Sequence, residues 1–281
     1  MMDKIATLVE KIKAADAVIV GAGSGMSAAT GLNFWYQNTP EVMEHFEYFY
    51  DKYHFQGLFD ASYTQFDSEE ERWAFTTILA NLIYTIEPPK PTYQYLKTLL
   101  KQKNYHIITT NQDDLFLRYF TKDKISMIQG SWSYLQSSNP DTDKNLYDAR
   151  KIFAKLTKKI SNHKIAREDF PRSEVDGSVL TPWYRSPKFL EDKQYYIEHE
   201  KFNNFIGQYK NQKILFLELG VGRMTPMFIQ EPFWEMTKYL PKAYYININP
   251  KDARTNPAIE DKSLLINDDI NEALKQAVEI R

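Results

Sequence analysis

Residues 17–31, AVIVGAGSGMSAATG, constrain the fold of this chain more than any other stretch. Ala17 to Val20 is a short apolar β-run that breaks on Gly21-Ala22-Gly23-Ser24-Gly25 and resumes as a small-residue helical stretch. Glycines permit the tight turn and let backbone N–H groups approach a ligand closely. The helix start that follows presents unpaired donors and a partial positive charge to an anion. A strand–turn–helix unit of this kind holds a pyrophosphate. A βα turn that merely needs glycine is the simpler reading, but alternating glycines with Ser24 and Ser27 favour nucleotide binding. On this reading, Gly23→Val abolishes binding and leaves the fold intact, because the position lies at the margin of the sheet rather than in its core.

The rest of the chain repeats the strand–helix pattern. An amphipathic helix over 4–15 precedes the first strand, with Ile5, Leu8, Val9 and Ile12 on one face. Ser68-x-x-Glu71 fits a capping box opening a helix that reaches Ile86, and a second helix follows over 92–103. Strands are expected at 105–109, ending in Thr109-Thr110-Asn111-Gln112-Asp113-Asp114-Leu115, and at 125–128, ending in Gln129-Gly130-Ser131. The pattern returns with a strand at 213–219 running into Gly220-Val221-Gly222. It continues with strands at 243–248, bearing Asn247 and Asn249 at the end, and at 263–266, then a helix from about 269. Strands alternating with helices imply an α/β fold, a Rossmann-like, mostly parallel sheet with helices on both faces.

Two stretches interrupt it. Residues 34–66 are aromatic, polar and without strand periodicity, where a dehydrogenase would place its second strand and ribose-binding acid. They read as a helical or loop segment covering the nucleotide, or equally as an aromatic subdomain packed on itself. Residues 132–210, rich in Lys, Asp and Asn, read as a smaller domain inserted between the two parts, 1–131 and 211–281, of the nucleotide-binding domain. A helix is expected there over 146–160.

Composition removes several classes. There is no cysteine, and the five histidines (45, 54, 106, 163, 199) lack metal-ligand spacing, so neither disulfides nor a structural zinc are expected. His106 lies in an apolar strand and reads as a core residue. A net charge of −2 gives no electrostatic footprint for nucleic acid or an anionic membrane. No apolar run approaches the roughly 20 residues that span a bilayer, and the N-terminal helix has no signal-peptide core, which makes the cytoplasm the expected compartment.

Four strand-end signatures thus stand in one order: GAG…S, T-x-N-x-D-x-L, x-G-S, and G-x-x…P followed by I-N-x-N. This set resembles the sirtuin family of NAD-dependent enzymes over nearly the whole chain. The resemblance implies that Gly21, Ala22, Gly23 and Ser27, with the intervening Ser24 and Gly25, form the phosphate loop. It implies that Asn111 and Asp113 hold the nicotinamide ribose and carboxamide. Gly220, Val221 and Gly222 would form the adenosine-ribose loop, Asn247 and Asn249 would hold the adenosine half, and Asp268 would approach the adenine. The departures are as informative. Sirtuin deacylases carry His where Gln129 stands, Pro-Asp-Phe-Arg where Asn33-Phe34-Trp35-Tyr36 stands, and four zinc cysteines that are missing here. This pattern resembles the macrodomain-linked class M sirtuins, which implies protein ADP-ribosyltransfer to a lipoyl-carrier protein related to the glycine-cleavage H protein. A macrodomain hydrolase would reverse the mark.

The chemistry of the residues agrees. Breaking the nicotinamide–ribose bond needs positioning and electrostatics, which Asn111 and Asp113 can supply. Deacylation additionally needs a base to activate a ribose hydroxyl, and Gln129 cannot ionise near neutral pH. Gln129 is therefore expected to hold ribose hydroxyls while a partner's nucleophile captures C1′. NAD glycohydrolysis and non-catalytic NAD or ADP-ribose binding are the competing readings. Among the remaining cations, Lys and Arg at 150–172 suit an acidic carrier or a solvated face, and Arg185 and Arg223 suit a phosphate or an acidic acceptor.

Overall fold

A computed structural model describes residues 2–281. Helix α1 (Met2–Ala14) buries Ile5, Leu8, Val9 and Ile12, with Asp3 in its first turn and Lys11 and Lys13 in its last, each favourable to the helix dipole. Strand β1 (Ala17–Ala22) follows, then the short α2 (Ser24–Ala28), α3 (Pro40–Tyr53) and α4 (Gly57–Ala61). Next come α5 (Glu69–Thr85), α6 (Thr92–Leu100), β2 (Asn104–Thr109), α7 (Leu115–Tyr119) and β3 (Ile125–Met127). Strands β4 (Gly130–Ser137) and β5 (Leu146–Asp148), helix α8 (Ala149–Leu156), β6 (Leu180–Tyr184) and α9 (Lys193–Tyr209) fill the middle of the chain. Strand β7 (Ile214–Leu219), α10 (Gln230–Tyr239), β8 (Tyr244–Ile248), β9 (Ser263–Ile266) and α11 (Ile270–Ile280) complete it.

Six strands form one parallel sheet in the order β3-β2-β1-β7-β8-β9. The chain steps outward from β1 in one direction, returns, and steps outward from β7 in the other. The carboxyl ends of β1 and β7 therefore flank the crevice where open α/β sheets bind ligands. All six residues of β1 are buried because both faces of the sheet are covered. Val18, Val20 and Ala22 point into one core with α1 and α11, whereas Ala17 and Ile19 point into the other with Phe216 and Phe233.

The aromatic stretch forms α3 and α4. Phe46, Phe49, Phe55 and Phe66 gather around Phe75 of α5, with ring centroids 4.9–5.9 Å from it. Ser68 caps α5 by accepting from the Glu71 N–H at 3.3 Å. The capping box is only half made, however. Glu71, 2% exposed, turns its carboxylate instead to Lys52 at 2.9 Å and to the Tyr53 hydroxyl, tying α5 to α3.

A second, antiparallel sheet of order β5-β4-β6 draws on residues between 130 and 184. The helix expected over 146–160 is shorter: Leu146–Asp148 is a strand, because these residues pair with Tyr134–Gln136 of β4. Asp148 then caps α8, accepting from the Lys151 N–H. Helix α9 leaves the antiparallel sheet and packs on β2 and β3. There Glu198, fully buried, accepts from the backbone N–H of Met127 at 3.0 Å, and Lys201 donates to the carbonyl of Ile125. No helix among the described residues is long and apolar enough to cross a membrane.

Candidate active site

The first, second and third strands of the sheet each end in a turn, and these turns meet. Thr109 at the end of β2 donates its hydroxyl to the carbonyl of Ala22 at the end of β1 (3.0 Å) and accepts from the N–H of Asn111 (3.0 Å). Ser27, buried on α2, then faces the Asn-x-Asp turn. Its hydroxyl donates to Asp113 Oδ2 at 2.6 Å and accepts from Asn111 Nδ2 at 3.1 Å, with the Tyr93 hydroxyl 3.3 Å away. Asp113 also accepts from the Leu115 N–H at 3.1 Å. Burial pushes the Asp113 carboxyl above the usual aspartate range, against the lowering effect of Ser27 and the Leu115 amide. Burial likewise holds Tyr93 well above the usual phenol value, keeping it a neutral hydroxyl.

The neighbouring Asp114 braces this turn to the antiparallel sheet. It adopts a left-handed conformation (φ 58°) and buries its carboxylate against the hydroxyls of Ser131, at 2.5 Å, and Ser133 on β4. The Trp132 N–H donates to the carbonyl of Gln112 at 3.1 Å. Gln129 is fixed from both sides. Its carbonyl accepts from the Arg185 N–H at 3.0 Å, and the next residue, Gly130, has φ 87° with the carbonyl of Trp183 where a Cβ would stand. Only glycine fits there.

These elements enclose a cleft of about 210 Å³. Of the residues singled out in the sequence, Gly23, Ser24, Ser27, Asn111, Asp113, Gln129 and Gly222 line it together. The others stand elsewhere. Gly21 and Ala22 are inside β1, and a Cβ on Gly21 would strike Ile229 and Phe233. Gly25 and Gly220 are pressed backbone to backbone: a Cβ on Gly25 would come 2.7 Å from Gly220 Cα. Gly23 meets the same loop, its Cβ position lying 2.7 Å from the carbonyl oxygen of Gly220 and 2.8 Å from Val221 Cα. This corrects the expectation that Gly23→Val spares the fold, because those glycines let two loops touch. Val221 is buried. Asn247 is fully buried and directs its amide to Glu218 Oε1 (3.0 Å), the Tyr245 hydroxyl and the Arg254 carbonyl, away from the cleft. Asn249 organises the turn after β8, donating to the Val221 carbonyl and accepting from the N–H groups of Lys251 and Asp252. Asp268 accepts from the N–H of Asp269 at 2.8 Å.

Trp35 and Tyr36, which the sequence marks as a departure from the family motif, line the cleft as an aromatic wall with Phe59, beside Thr110, Gln112, Met224 and Thr225. Tyr36 reaches the mouth, its hydroxyl 3.2 Å from Ser24 Oγ. The N–H groups of Leu58 and Phe59, at the start of α4, donate to the carbonyls of Phe34 and Trp35, and Gly57 (φ 73°) allows that close approach. The density of aromatics over 34–66 was the available signal.

Other candidates have local partners. His106 is buried, hydrogen-bonded to Ser126 at 2.8 Å and lowered by burial to about 4, so it is a neutral core imidazole. Lys151, Lys159, Lys164 and Arg167 pair with Asp148, Asp169, Glu71 and Glu70. Among the described residues, no three His, Cys, Asp or Glu side chains converge as a metal site.

No family model matches the chain. A protein ADP-ribosyltransferase of Staphylococcus aureus is 30% identical over 270 residues, covering 95% of this chain and 84% of that protein. A probable bifunctional ADP-ribose hydrolase/ADP-ribosyltransferase of Fusarium oxysporum f. sp. cubense is 27% identical over 79% of this chain, which spans 38% of that longer protein. Among solved structures, a Sir2 enzyme from a study of Sir2 mechanism and regulation aligns over the full length of both chains (17% identity, TM-score 0.60). A Sir2 homologue in complex with NAD aligns over 98% of this chain and 93% of its own (13% identity, TM-score 0.58). The structural likeness establishes the sirtuin fold, and with the Staphylococcus relative the chain belongs to the sirtuin-like protein ADP-ribosyltransferases.

Proposed function

We propose that this protein transfers ADP-ribose from NAD to a partner protein with release of nicotinamide, and that the acceptor is a lipoyl-carrier protein of the glycine-cleavage H type. One observation carries the transfer reading: Ser27 is hydrogen-bonded to both Asn111 and Asp113 beside Gln129, a residue that cannot serve as a base. NAD supplies an ADP-ribosyl group whose C1′ becomes electrophilic as the nicotinamide bond breaks. Asn111 and Asp113, locked by Ser27, orient the nicotinamide ribose and place a carboxylate beside developing positive charge. Gln129 holds ribose hydroxyls through its amide. Trp35, Tyr36 and Phe59 exclude water from the cleft, which favours capture by a protein nucleophile over hydrolysis. The glycine loop, packed on Gly220, presents backbone to the pyrophosphate.

The class M assignment, the H-like acceptor, a macrodomain hydrolase as functional partner and a cytoplasmic location follow from the resemblance of the motifs. The division into a nucleotide-binding domain (1–131 and 211–281) and an inserted domain (132–210) belongs to the same reading. Incubation with NAD labelled in the adenylate part, with and without a lipoylated H-type carrier, tests it. Label on the carrier is expected. Free ADP-ribose alone identifies a glycohydrolase, and unchanged NAD identifies a binding module.

A further inference from the structure

The cleft poses a charge problem. Among the described residues that line it, Asp113 is ionisable and none carries a positive charge, while NAD brings a pyrophosphate with two negative charges. Backbone donors orient phosphates but add no net charge. The nearest cation in sequence to the lining residues is Arg223, flanked by Gly222 and Met224, both of which line the cleft. Its guanidinium is turned outward and held by Asp252 in a two-pronged pair, Nε to Oδ2 at 2.8 Å and Nη2 to Oδ1 at 2.7 Å.

Three features make that pair exchangeable. Arg223 is 74% exposed, so little packing holds it. Asp252 has a second cation, Arg254, 3.7 Å away and itself fixed by a 2.8 Å hydrogen bond to Gln230, so the carboxylate is not left alone when Arg223 departs. The loop has a fixed base and a free tip. Gly220 (φ 62°) lies against the backbone of Gly25, whereas a Cβ on Gly222 would meet nothing within 4 Å and Met224 is 70% exposed. Arg185, the alternative cation, is more confined. It pairs with Glu191 and lies 5.5 Å from the rings of both Phe189 and Phe228.

We infer that Arg223 is a cofactor-binding residue that exchanges Asp252 for the pyrophosphate of NAD as the nucleotide enters, with Arg254 keeping Asp252 neutralised. Planar guanidinium suits phosphate as well as carboxylate, in the same bidentate geometry. Binding thereby closes the 220–225 loop over the cofactor without any new charge being buried unpaired. The inference rests on the reading of the cleft as an NAD site.

The test is calorimetric titration of wild type, Arg223→Gln, Arg223→Lys and Asp252→Asn with NAD, and with nicotinamide riboside, which lacks both phosphates. Arg223→Gln is expected to weaken NAD roughly tenfold or more, to leave nicotinamide riboside unchanged, and to be partly rescued by Arg223→Lys. Asp252→Asn should bind NAD as tightly as wild type or tighter. Unchanged NAD affinity in Arg223→Gln overturns the exchange, as does an Asp252→Asn variant that loses as much as Arg223→Gln, since the pair would then be a structural clasp. Wild type that binds no NAD overturns the reading of the cleft itself, and the exchange with it.

Discussion

The Ser27 hydroxyl lies 2.6 Å from Asp113 Oδ2, joining the helix after the first strand to the turn after the second. A single small side chain thus sets the distance between the glycine loop and the Asn-x-Asp turn. Ser27→Ala would leave both Asp113 Oδ2 and Asn111 Nδ2 without their common partner. The expected result is a stability loss of about 1–3 kcal/mol and a fall in nicotinamide release, measured by thermal melting and by chromatography. Native turnover in a well-folded Ser27→Ala variant would remove Ser27 from the site.

Asn111→Ala is expected to lower transfer roughly 10²-fold or more, because on the proposed reading no other residue at that strand end orients the nicotinamide ribose. Gln129→His should not create an efficient deacylase, since the chain also lacks the four zinc cysteines expected of the deacylases. Assayed on an acetyl-lysine peptide, native protein should be inactive or very slow. Efficient deacetylation by the native chain would show that another group replaces the missing base, and the transferase reading would fall.

The glycines separate by what faces them. Gly23→Ala forces a Cβ into the backbone of Gly220 and Val221, and overpacking of this kind should lower the melting temperature by roughly 2–10 °C. Gly222→Ala meets open space and should melt as wild type. Equal melting of all three proteins would mean that the two loops do not touch in solution.

Glu218 supplies a pH test. It is fully buried on β7, accepting from Tyr245, Gln230 and Asn247, and burial is the main cause that raises its carboxyl to about 7. A raised acid favours the folded state while protonated. Its contribution is complete below the unfolded value of about 4.5 and is lost as pH rises through about 7. The shift corresponds to about 3 kcal/mol. Melting temperature should therefore fall between pH 5 and pH 8, and Glu218→Gln should flatten that slope. A variant with the wild-type slope would assign it to other groups.

Metal content gives a further check. With no cysteine in the chain, purified protein should carry no stoichiometric zinc by elemental analysis, and chelator should not move its melting temperature. About one zinc per chain would overturn this view of the inserted segment.

The parallel sheet was legible because its strands are continuous apolar runs ending in glycine or polar turns, a pattern that burial on both faces enforces. The site's centre was legible for the same reason, as Ser27, Asn111, Asp113 and Gln129 all follow such runs. The antiparallel sheet was not. Leu146–Asp148 is only three residues long and takes its conformation from Tyr134–Gln136, a partner that local periodicity cannot reveal. Asn247 and Asn249 differ for a geometric reason. Two residues apart along the chain, they stand on the same side in sequence pattern, yet Asn247 is inside β8 with its amide held by Glu218 and Tyr245, whereas Asn249 lies beyond the strand end. Gly23 and Gly25 also serve a contact between two loops, which a glycine pattern by itself does not reveal.

The place of β1 at the middle of the sheet has a consequence for how the protein is made. Ala17 pairs with Asn104 on one side and with Ile214 on the other. At roughly 5–20 residues per second of synthesis, the ribosome needs about 5–20 s to travel from the second strand to the seventh. Throughout that interval one edge of the most apolar strand in the sheet has no native partner. The nascent chain must pass this window with half a sheet assembled, so agents that bind exposed strand edges should meet it during translation rather than after release.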